Sequence, residues 1–551
     1  MNLEAPTYNN YCLPLISIFK RLAIITSILG LAFQSSTAQD TPNILLIISD
    51  DLGVDYSNGY HEGNGLMPTT PTLDELRSTG ITFENAFAAP VCSPTRAAIM
   101  SGKYGNKTGV LTVPGHLELI HESIFKALEN QTSGLYSDAV IGKWHLAEGN
   151  NLDHPQEHGV DYFSGVIGGG VQDYFSWNKV VNGVSSTSTQ YITSELTDDA
   201  IDWINDQDNP WFLWLAETAP HSPYHTPPAD LYTINNTDNE RRKYVAMIEA
   251  LDHEIGRLLD NIPADDLENT VIIYIGDNGT PNNILRNYPN RHGKGSVYQG
   301  GIRVPFLVSG AGVNRSGERE AALVHVADIY ATILEIAGAD LPGGKFNSLS
   351  FKHLLDGTDG STRDYNYSET LINDTLVYAI RDNRYKLIDN TENFQQEFYD
   401  LLLDSLETND LMGNITSGEV SAIKEDFELE ALQIRNAWSC RDHIQNGDEE
   451  GIDCGGTYCA PCITETTELE TRNDCFQIFP NPVKNQLQLN ASNKGTYTMT
   501  INDLKGNLIN KKQFSGSEFS MEINDIESGL YILELYNFQS KETCISKFIK
   551  H

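Results

Sequence analysis

The stretch Asn43-Ile44-Leu45-Leu46-Ile47-Ile48-Ser49-Asp50-Asp51 decides how this chain is read. It is a continuous apolar run with no polar alternation, closed by two carboxylates. Such a run suits a strand buried on both faces at the centre of a sheet, with its polar residues at the carboxyl end. Four other runs share the texture: Ala139-Val140-Ile141, Trp211-Phe212-Leu213-Trp214-Leu215, Val271-Ile272-Ile273-Tyr274-Ile275 and Pro305-Phe306-Leu307-Val308. Helical periodicity fills the intervals, over Thr72–Thr79, Ser123–Asn130, Ser194–Asp206, Glu240–Leu259 and His325–Ala337. Strands alternating with helices predict an α/β fold, in which ligands gather at the carboxyl ends of the strands. Asp50, Asp51, Lys143, Glu217, Asp277 and Asn278 all fall just past a predicted strand.

The chain has 551 residues, too many for one compact core, and its length predicts two or three domains. Lysine and arginine number 37 against 75 aspartates and glutamates, a formal net charge of -38. That balance excludes nucleic acid as a partner, since nucleic-acid binding requires a basic face. It also requires any anion site to be a local basic pocket, because a polyanion is repelled at long range. Lys20-Arg21 before the apolar run Leu22–Phe33, with the small residues Ser36-Thr37-Ala38 after it, reads as an export signal, with a retained membrane anchor as the alternative. Among the eight cysteines, Cys440, Cys454, Cys459 and Cys462 cluster, while Cys475 and Cys544 bracket the C-terminal segment. In an exported chain the cluster reads as two disulfides, and the Cys459-x-x-Cys462 spacing leaves zinc as the second reading. The neighbouring Gly447-Asp448-Glu449-Glu450-Gly451 reads as a solvated acidic turn before a calcium loop.

From about Tyr365 the texture changes to short strands, Leu376–Arg381 and Tyr385–Ile388, closed by a charged helix over Ser417–Ala437. These predict a smaller antiparallel subdomain. A Thr/Glu-rich linker, Thr464–Thr471, leads to a final β segment with alternating Gln486–Leu489, Tyr497–Ile501 and Leu530–Leu535, which reads as a small β-sandwich.

The chemistry is carried by motifs in order along the chain. Pro90-Val91-Cys92-Ser93-Pro94-Thr95-Arg96 places a lone thiol beside a guanidinium at a helix start; alone it reads equally as a buried small hydrophobe. Asp50-Asp51 and Asp277-Asn278 offer hard oxygen ligands suited to calcium or magnesium, although either pair alone would be a cap or a turn. Gly142-Lys143-Trp144-His145 sets a cation and a titratable ring two residues apart on an extended segment, facing one side. Ala219-Pro220-His221-Ser222-Pro223 and His292-Gly293-Lys294-Gly295 bring a further histidine and lysine to the same rim.

Together, residues from about Pro42 to Leu411 resemble the type I (formylglycine-dependent) sulfatase family of the alkaline-phosphatase-like superfamily. Arg381-x-x-Arg384-Tyr385-Lys386-Leu387 and Phe398-Tyr399-Asp400-Leu401 match that family's C-terminal subdomain. Phe479-Pro480-Asn481-Pro482-Val483 with Leu504-Lys505-Gly506 resembles the sorting domain of type IX secretion. The resemblances imply a signal peptide over 1–38, a catalytic domain over 39–364 with a mixed sheet sandwiched by helices, and a C-terminal subdomain over 365–438. A cysteine-rich segment over 439–463, a linker over 464–474 and a sorting β-domain over 475–551 complete the expected order. They imply that Cys92 is oxidised to formylglycine by a maturing enzyme and that calcium is held by Asp50, Asp51, Asp277, Asn278 and the modified Cys92, with magnesium as the substitute. They imply that Arg96 and Lys143 brace the hydrated aldehyde, that His145 helps break down the sulfated intermediate, and that His221 and Lys294 bind sulfate and protonate the leaving oxygen.

The implied chemistry is coherent. An aldehyde hydrate carries two hydroxyls on one carbon: one attacks sulfur, and the other later expels sulfate by re-forming the aldehyde. The chain departs from the family pattern at Thr95, at Ser101-Gly102-Lys103-Tyr104 and at Gln299, none of them a charge-bearing catalytic position. The expected activity is hydrolysis of sulfate esters on a polysaccharide or its oligosaccharides, by a protein secreted or held at the cell surface through the secretion machinery. His225, Arg291 and Trp177 are the expected sugar contacts, with the Gly168-Gly169-Gly170 loop and Asp173-Tyr174. A phosphonate or phosphodiester hydrolase of the same superfamily and a non-catalytic surface carbohydrate-binding protein are the alternatives.

Overall fold

The computed structural model describes residues 41 to 550 except 61–64, 150, 341–346, 391–394, 415–417, 437–475, 480–482, 503–507, 525, 527–528 and 539–542. The expected signal peptide (1–38), cysteine-rich segment (439–463) and linker (464–474) therefore lie outside the described residues. Two compact units divide at residue 460. No helix among the described residues is long and apolar enough to cross a membrane.

The first unit is built on a ten-stranded sheet. In chain order its strands are β1 (Asn43–Ser49), β2 (Ile81–Phe87), β3 (Ser137–Lys143), β4 (Tyr162–Val166), β5 (Trp177–Val181), β6 (Val184–Ser188), β7 (Trp211–Ala216), β8 (Thr270–Gly276), β9 (Phe306–Gly310) and β10 (Glu318–His325). Their order across the sheet is β10-β2-β9-β8-β1-β7-β3-β4-β5-β6. The central strands β8, β1, β7 and β3 are parallel neighbours, and β9 joins them antiparallel.

The continuous apolar runs arise because the centre is covered on both faces. Ile44, Leu46 and Ile48 of β1, with Phe212 and Trp214 of β7, enter one core, while Leu45, Ile47, Trp211 and Leu213 enter the other. Helices Cys92–Ser101, Ile124–Thr132 and Asp328–Ile336 contribute to the first core. Helices Pro71–Thr79, Ile192–Asn205 and Glu240–Asn261 contribute to the second. Side-chain period two thus sends neighbours on one strand to opposite cores, and no polar residue is tolerated in between.

A separate four-stranded antiparallel sheet follows: β11 (Asn366–Ile372), β12 (Thr375–Arg381), β13 (Tyr385–Asn390) and β14 (Gln395–Asp400). Asn366 ties it to the large sheet, its Nδ2 donating to the carbonyls of Asn85 and Val324. The charged helix runs from Gly418 to Asn436 and buries Phe427 and Ala431.

The second unit holds five strands around its own core, including Leu487, Leu489, Met499, Ile501, Leu533 and Phe548. One finding corrects the expectation of separate runs here. Gln486–Asn502 is a single strand, and the polar stretch between the two apolar runs is where its register against Leu508–Glu522 shifts, between Asn490 and Gly495. Cys544 is disulfide-bonded.

Candidate active site

Four adjacent strands deliver the site. Asp50 and Asp51 follow β1, Lys143 ends β3, the His221 loop follows β7, and Asp277-Asn278 follows β8. Asp51 turns the chain with φ 69°, and its backbone N–H donates to Asp277 Oδ1 at 3.0 Å. Cys92 is the first residue of the wholly buried helix Cys92–Ser101, so the partial positive charge of a helix N-terminus falls on its side chain.

One ligand atom from each of Asp50, Asp51, Cys92 and Asp277 lies within 4.8 Å of the others. Cys92 Sγ is 3.5 Å from Asp50 Oδ1 and 4.0 Å from Asp51 Oδ1. Cations interleave with the carboxylates. Lys143 Nζ donates to Asp50 Oδ2 at 2.6 Å, and Arg96 spans Asp277 Oδ2 at 2.9 Å and the carbonyl of Lys143 at 2.6 Å. Lys294 Nζ reaches Asp51 Oδ1 at 2.5 Å and Cys92 Sγ at 3.6 Å. His221 Nε2 stands 3.7 Å from Asp51 Oδ2. Three carboxylates facing three permanent cations keep this buried cluster near neutral, the condition under which buried charge is tolerated.

Burial alone would raise the Asp50 carboxyl, but Lys143, His221, Arg96 and Lys294 hold it well below the usual range. Burial pushes the Cys92 thiol up to about 12 against the pull of Lys143. The sulfur as translated is therefore a weak nucleophile, since the thiolate is the reactive form. Burial, with Lys143 and Arg96 beside it, lowers His145 to about 2, so the ring is neutral.

The residues present fit a hard cation. Asn278 Nδ2 is engaged by Asp51 Oδ1 at 2.9 Å and by the Gly279 carbonyl, but its Oδ1 is buried without a hydrogen-bond partner among the described residues. An orphaned carbonyl oxygen beside three carboxylates is the donor set calcium or magnesium takes.

Two glycines bear on the histidines. A Cβ on Gly169 would fall 2.6 Å from His145 Nε2, and one on Gly170 would fall 3.2 Å from His221. Above the cluster a cavity of about 450 Å3 opens. Asp51, His221 and Lys294 form its floor; Tyr224, Glu240 and Asn283 are among the residues of its wall.

Three comparisons bear on this arrangement. A sulfatase family model matches residues 42–339. The chain belongs to the sulfatase family. Two further models match: the N-sulphoglucosamine sulphohydrolase C-terminal model at 291–434, and a secretion-system C-terminal sorting domain at 477–551. Arylsulfatase J of Mus musculus is 30% identical over 328 residues, covering 54% of this chain and 52% of that protein, so the match spans about half the length of that relative. A sulfatase of Formosa agariphila is 27% identical over 75% of this chain and 92% of its own length. Among solved structures, Ps i-CgsB in complex with k-i-k-neocarrahexaose superposes with a TM-score of 0.60 at 27% identity, covering 72% of this chain and 93% of that one. The mixed sheet between helical layers is thus the alkaline-phosphatase-like fold of sulfatases, and the sorting-domain match supports secretion or cell-surface display.

The structure brings Asp50, Asp51, Cys92, Arg96, Lys143, His145, His221, Lys294, Asp277 and Asn278 of this sulfatase to one place. Of the three expected sugar contacts, His225, Arg291 and Trp177, none lines the cavity above the cluster. His225 stacks on Tyr174 with ring centroids 4.1 Å apart and bonds Tyr191 through Nε2 at 3.2 Å. Trp177 is buried, donates to the Gln190 carbonyl and borders a different cavity with Gly168 and Gly170. Arg291 is exposed, with φ 70°. Glu217 is buried beside Glu254, and burial holds its carboxyl well above the usual range. Tyr224, Glu240 and Asn283 escaped the sequence reading. An acid in the first turn of a long helix reads as a partner for the helix dipole, and Asn283 lies in no recognisable motif.

Proposed function

We propose that this chain is an exported sulfatase that hydrolyses sulfate esters on a sulfated polysaccharide or its oligosaccharides. The observation that carries the proposal is the Cys92 cluster: a helix-start cysteine among three carboxylates and three cations, two of which, Asp51 and Lys294, line an open cavity. The carbohydrate class is supported by the carrahexaose complex of Ps i-CgsB and by the N-acetylgalactosamine-6-sulfatase of Sus scrofa, 28% identical over 59% of this chain.

In this reading Asp50, Asp51, Asp277 and Asn278 would hold calcium beside residue 92, where it would supply positive charge that lowers the pKa of a nearby hydroxyl. Conversion of Cys92 to formylglycine by a maturing enzyme supplies, as the hydrate, the hydroxyl nucleophile that the thiol cannot be. Arg96 and Lys143 fix residue 92 and its neighbouring carboxylates through the 2.6–2.9 Å bonds described. His145 stands beside Lys143 and Arg96 in the same cluster and helps break down the sulfated intermediate. His221 and Lys294 bind the sulfate oxygens from the cavity floor and hand a proton to the leaving sugar oxygen. Residues 1–38 direct export, and the domain over 475–551 directs sorting.

Parallel assays of a sulfate ester and a phosphate ester of one alcohol test the reaction class, with mass mapping of the Cys92 peptide alongside. Sulfate release by protein carrying the aldehyde is expected. Faster phosphate than sulfate release, or full activity with unmodified Cys92, would overturn the assignment.

A further inference from the structure

The wall of the cavity differs in charge from its floor. The floor carries the Lys294 ammonium, 2.5 Å from Asp51, and the His221 ring, 3.7 Å from it, and fits the sulfate under attack. The wall carries a carboxylate, Glu240, and among the described residues no lysine or arginine other than the floor's Lys294 borders the cavity. Glu240 is the first residue of the helix Glu240–Asn261, whose start is fixed by Asn239 accepting from the Arg242 backbone N–H. Asn283 Nδ2 donates to Glu240 Oε2 at 2.9 Å, which orients the carboxylate and leaves it capacity to accept further hydrogen bonds. Of the three basic residues that follow, Arg241 donates to the Leu285 carbonyl, Arg242 pairs with Asp238 at 3.7 Å, and Lys243 is not among the residues that line the cavity. Tyr224 packs edge-on against Tyr244, centroids 5.7 Å apart and planes at 83°, and Tyr244 donates to the backbone carbonyl of Asp51 at 2.6 Å. Tyr224 is therefore linked through Tyr244 to the turn at Asp51.

We propose that Tyr224, Glu240 and Asn283 bind the sulfated sugar ring itself and select a ring whose only anion is the sulfate under attack. The inference rests on the sulfatase reading and names its substrate. The Tyr224 ring offers an apolar face, the Asn283 amide offers both donor and acceptor, and the Glu240 carboxylate accepts hydrogen bonds from neighbouring free hydroxyls. A second sulfate or a uronate carboxylate on the same ring would meet Glu240 at close range with no wall cation to neutralise it, and the net charge of -38 adds to that repulsion.

The probes are matched pairs of singly and doubly sulfated monosaccharides built on galactose, N-acetylgalactosamine, fucose and glucosamine. Binding is measured by calorimetry on calcium-loaded Cys92→Ala protein, and turnover on the mature protein. In at least one pair the singly sulfated sugar should bind about tenfold or more tightly than its doubly sulfated partner, a preference that shrinks with added salt. Glu240→Gln keeps the shape of the wall, loses its charge, and should bring the two affinities to within about threefold. An unchanged ratio in Glu240→Gln, a wild-type preference for the doubly sulfated partner, or binding to no member of the panel overturns the proposal. Selective binding without sulfate release contradicts the hydrolase reading and leaves the subsite standing; sulfate release without selectivity overturns the subsite alone.

Discussion

Glu407 is expected to govern the stability of the first unit through contacts that end at the proposed metal ligands. Its Oε1 accepts from Lys386 Nζ of β13 at 2.5 Å with both side chains fully buried, and its Oε2 accepts from the Gln299 backbone N–H at 2.5 Å. Burial raises the Glu407 carboxyl and lowers the Lys386 ammonium, and each ion opposes the shift of the other. Beyond Gln299 the chain passes through Gly300-Gly301. The Gly301 carbonyl accepts from Gly279 N–H at 2.9 Å, and a Cβ on Gly279 would fall 1.8 Å from the Gly300 oxygen. Gly279 directly follows Asp277-Asn278, so the small sheet holds the loop behind two proposed ligands. Glu407→Ala strands a buried ammonium, at about 3–5 kcal/mol, and unpairs a buried amide, at about 1–3 kcal/mol. One carboxylate serves both, so the costs overlap, and about 4 kcal/mol is expected, a large part of the roughly 5–15 kcal/mol that holds a domain together. Lys386→Met with Glu407→Leu removes the stranded charge and should cost only about 1–3 kcal/mol. All six tryptophans lie at or before Trp438, so fluorescence in a urea titration reports this unit alone. A cost below about 1 kcal/mol for Glu407→Ala, or a double variant as costly as the two single ones summed, would refute the reasoning.

Other outcomes follow from the site and its surroundings. Gly169→Ala should push His145 aside and lower kcat about tenfold to a hundredfold with the fold intact; unchanged turnover would show that the loop yields freely. Chelation should abolish activity and calcium should restore it, checked by elemental analysis; full activity of metal-free protein would count against the ligand set. Burial, then His116 for His154 and His154 for His158, lowers these two rings behind Trp144 to about 4. The unfolded chain protonates them near the ordinary 6.5, so stability is full above that pH and is lost as pH falls towards about 4. The Tm gap between the protein and a variant with both rings replaced (His154→Gln with His158→Gln) should change as pH falls across that window, and a gap independent of pH would contradict it.

The centre of the sheet was legible because β1, β7 and β8 are buried on both faces and must read as unbroken apolar runs. The edges were not. Val184–Ser188, Val-Ser-Ser-Thr-Ser, is mostly exposed and owes its strand to pairing with Trp177–Val181. That the charged residues at the strand ends would meet was legible because such residues have few structural uses in combination. Tyr224, Glu240 and Asn283 meet only through tertiary folding, and each has an ordinary role in its own segment. Gln299 shows the same limit. The departure at its side chain drew notice in the sequence, whereas the structural work falls on its backbone N–H, bonded to a carboxylate 108 residues away.

The central claim is tested most directly by product analysis on a panel of defined sulfated oligosaccharides. Calcium-loaded protein carrying the aldehyde at residue 92 is incubated with each, beside its Cys92→Ala variant. The account predicts free sulfate and an oligosaccharide lacking one sulfo group with every glycosidic bond intact, and neither product from the variant. Mature protein that releases no sulfate from any member of the panel, or a variant that releases as much, would contradict it.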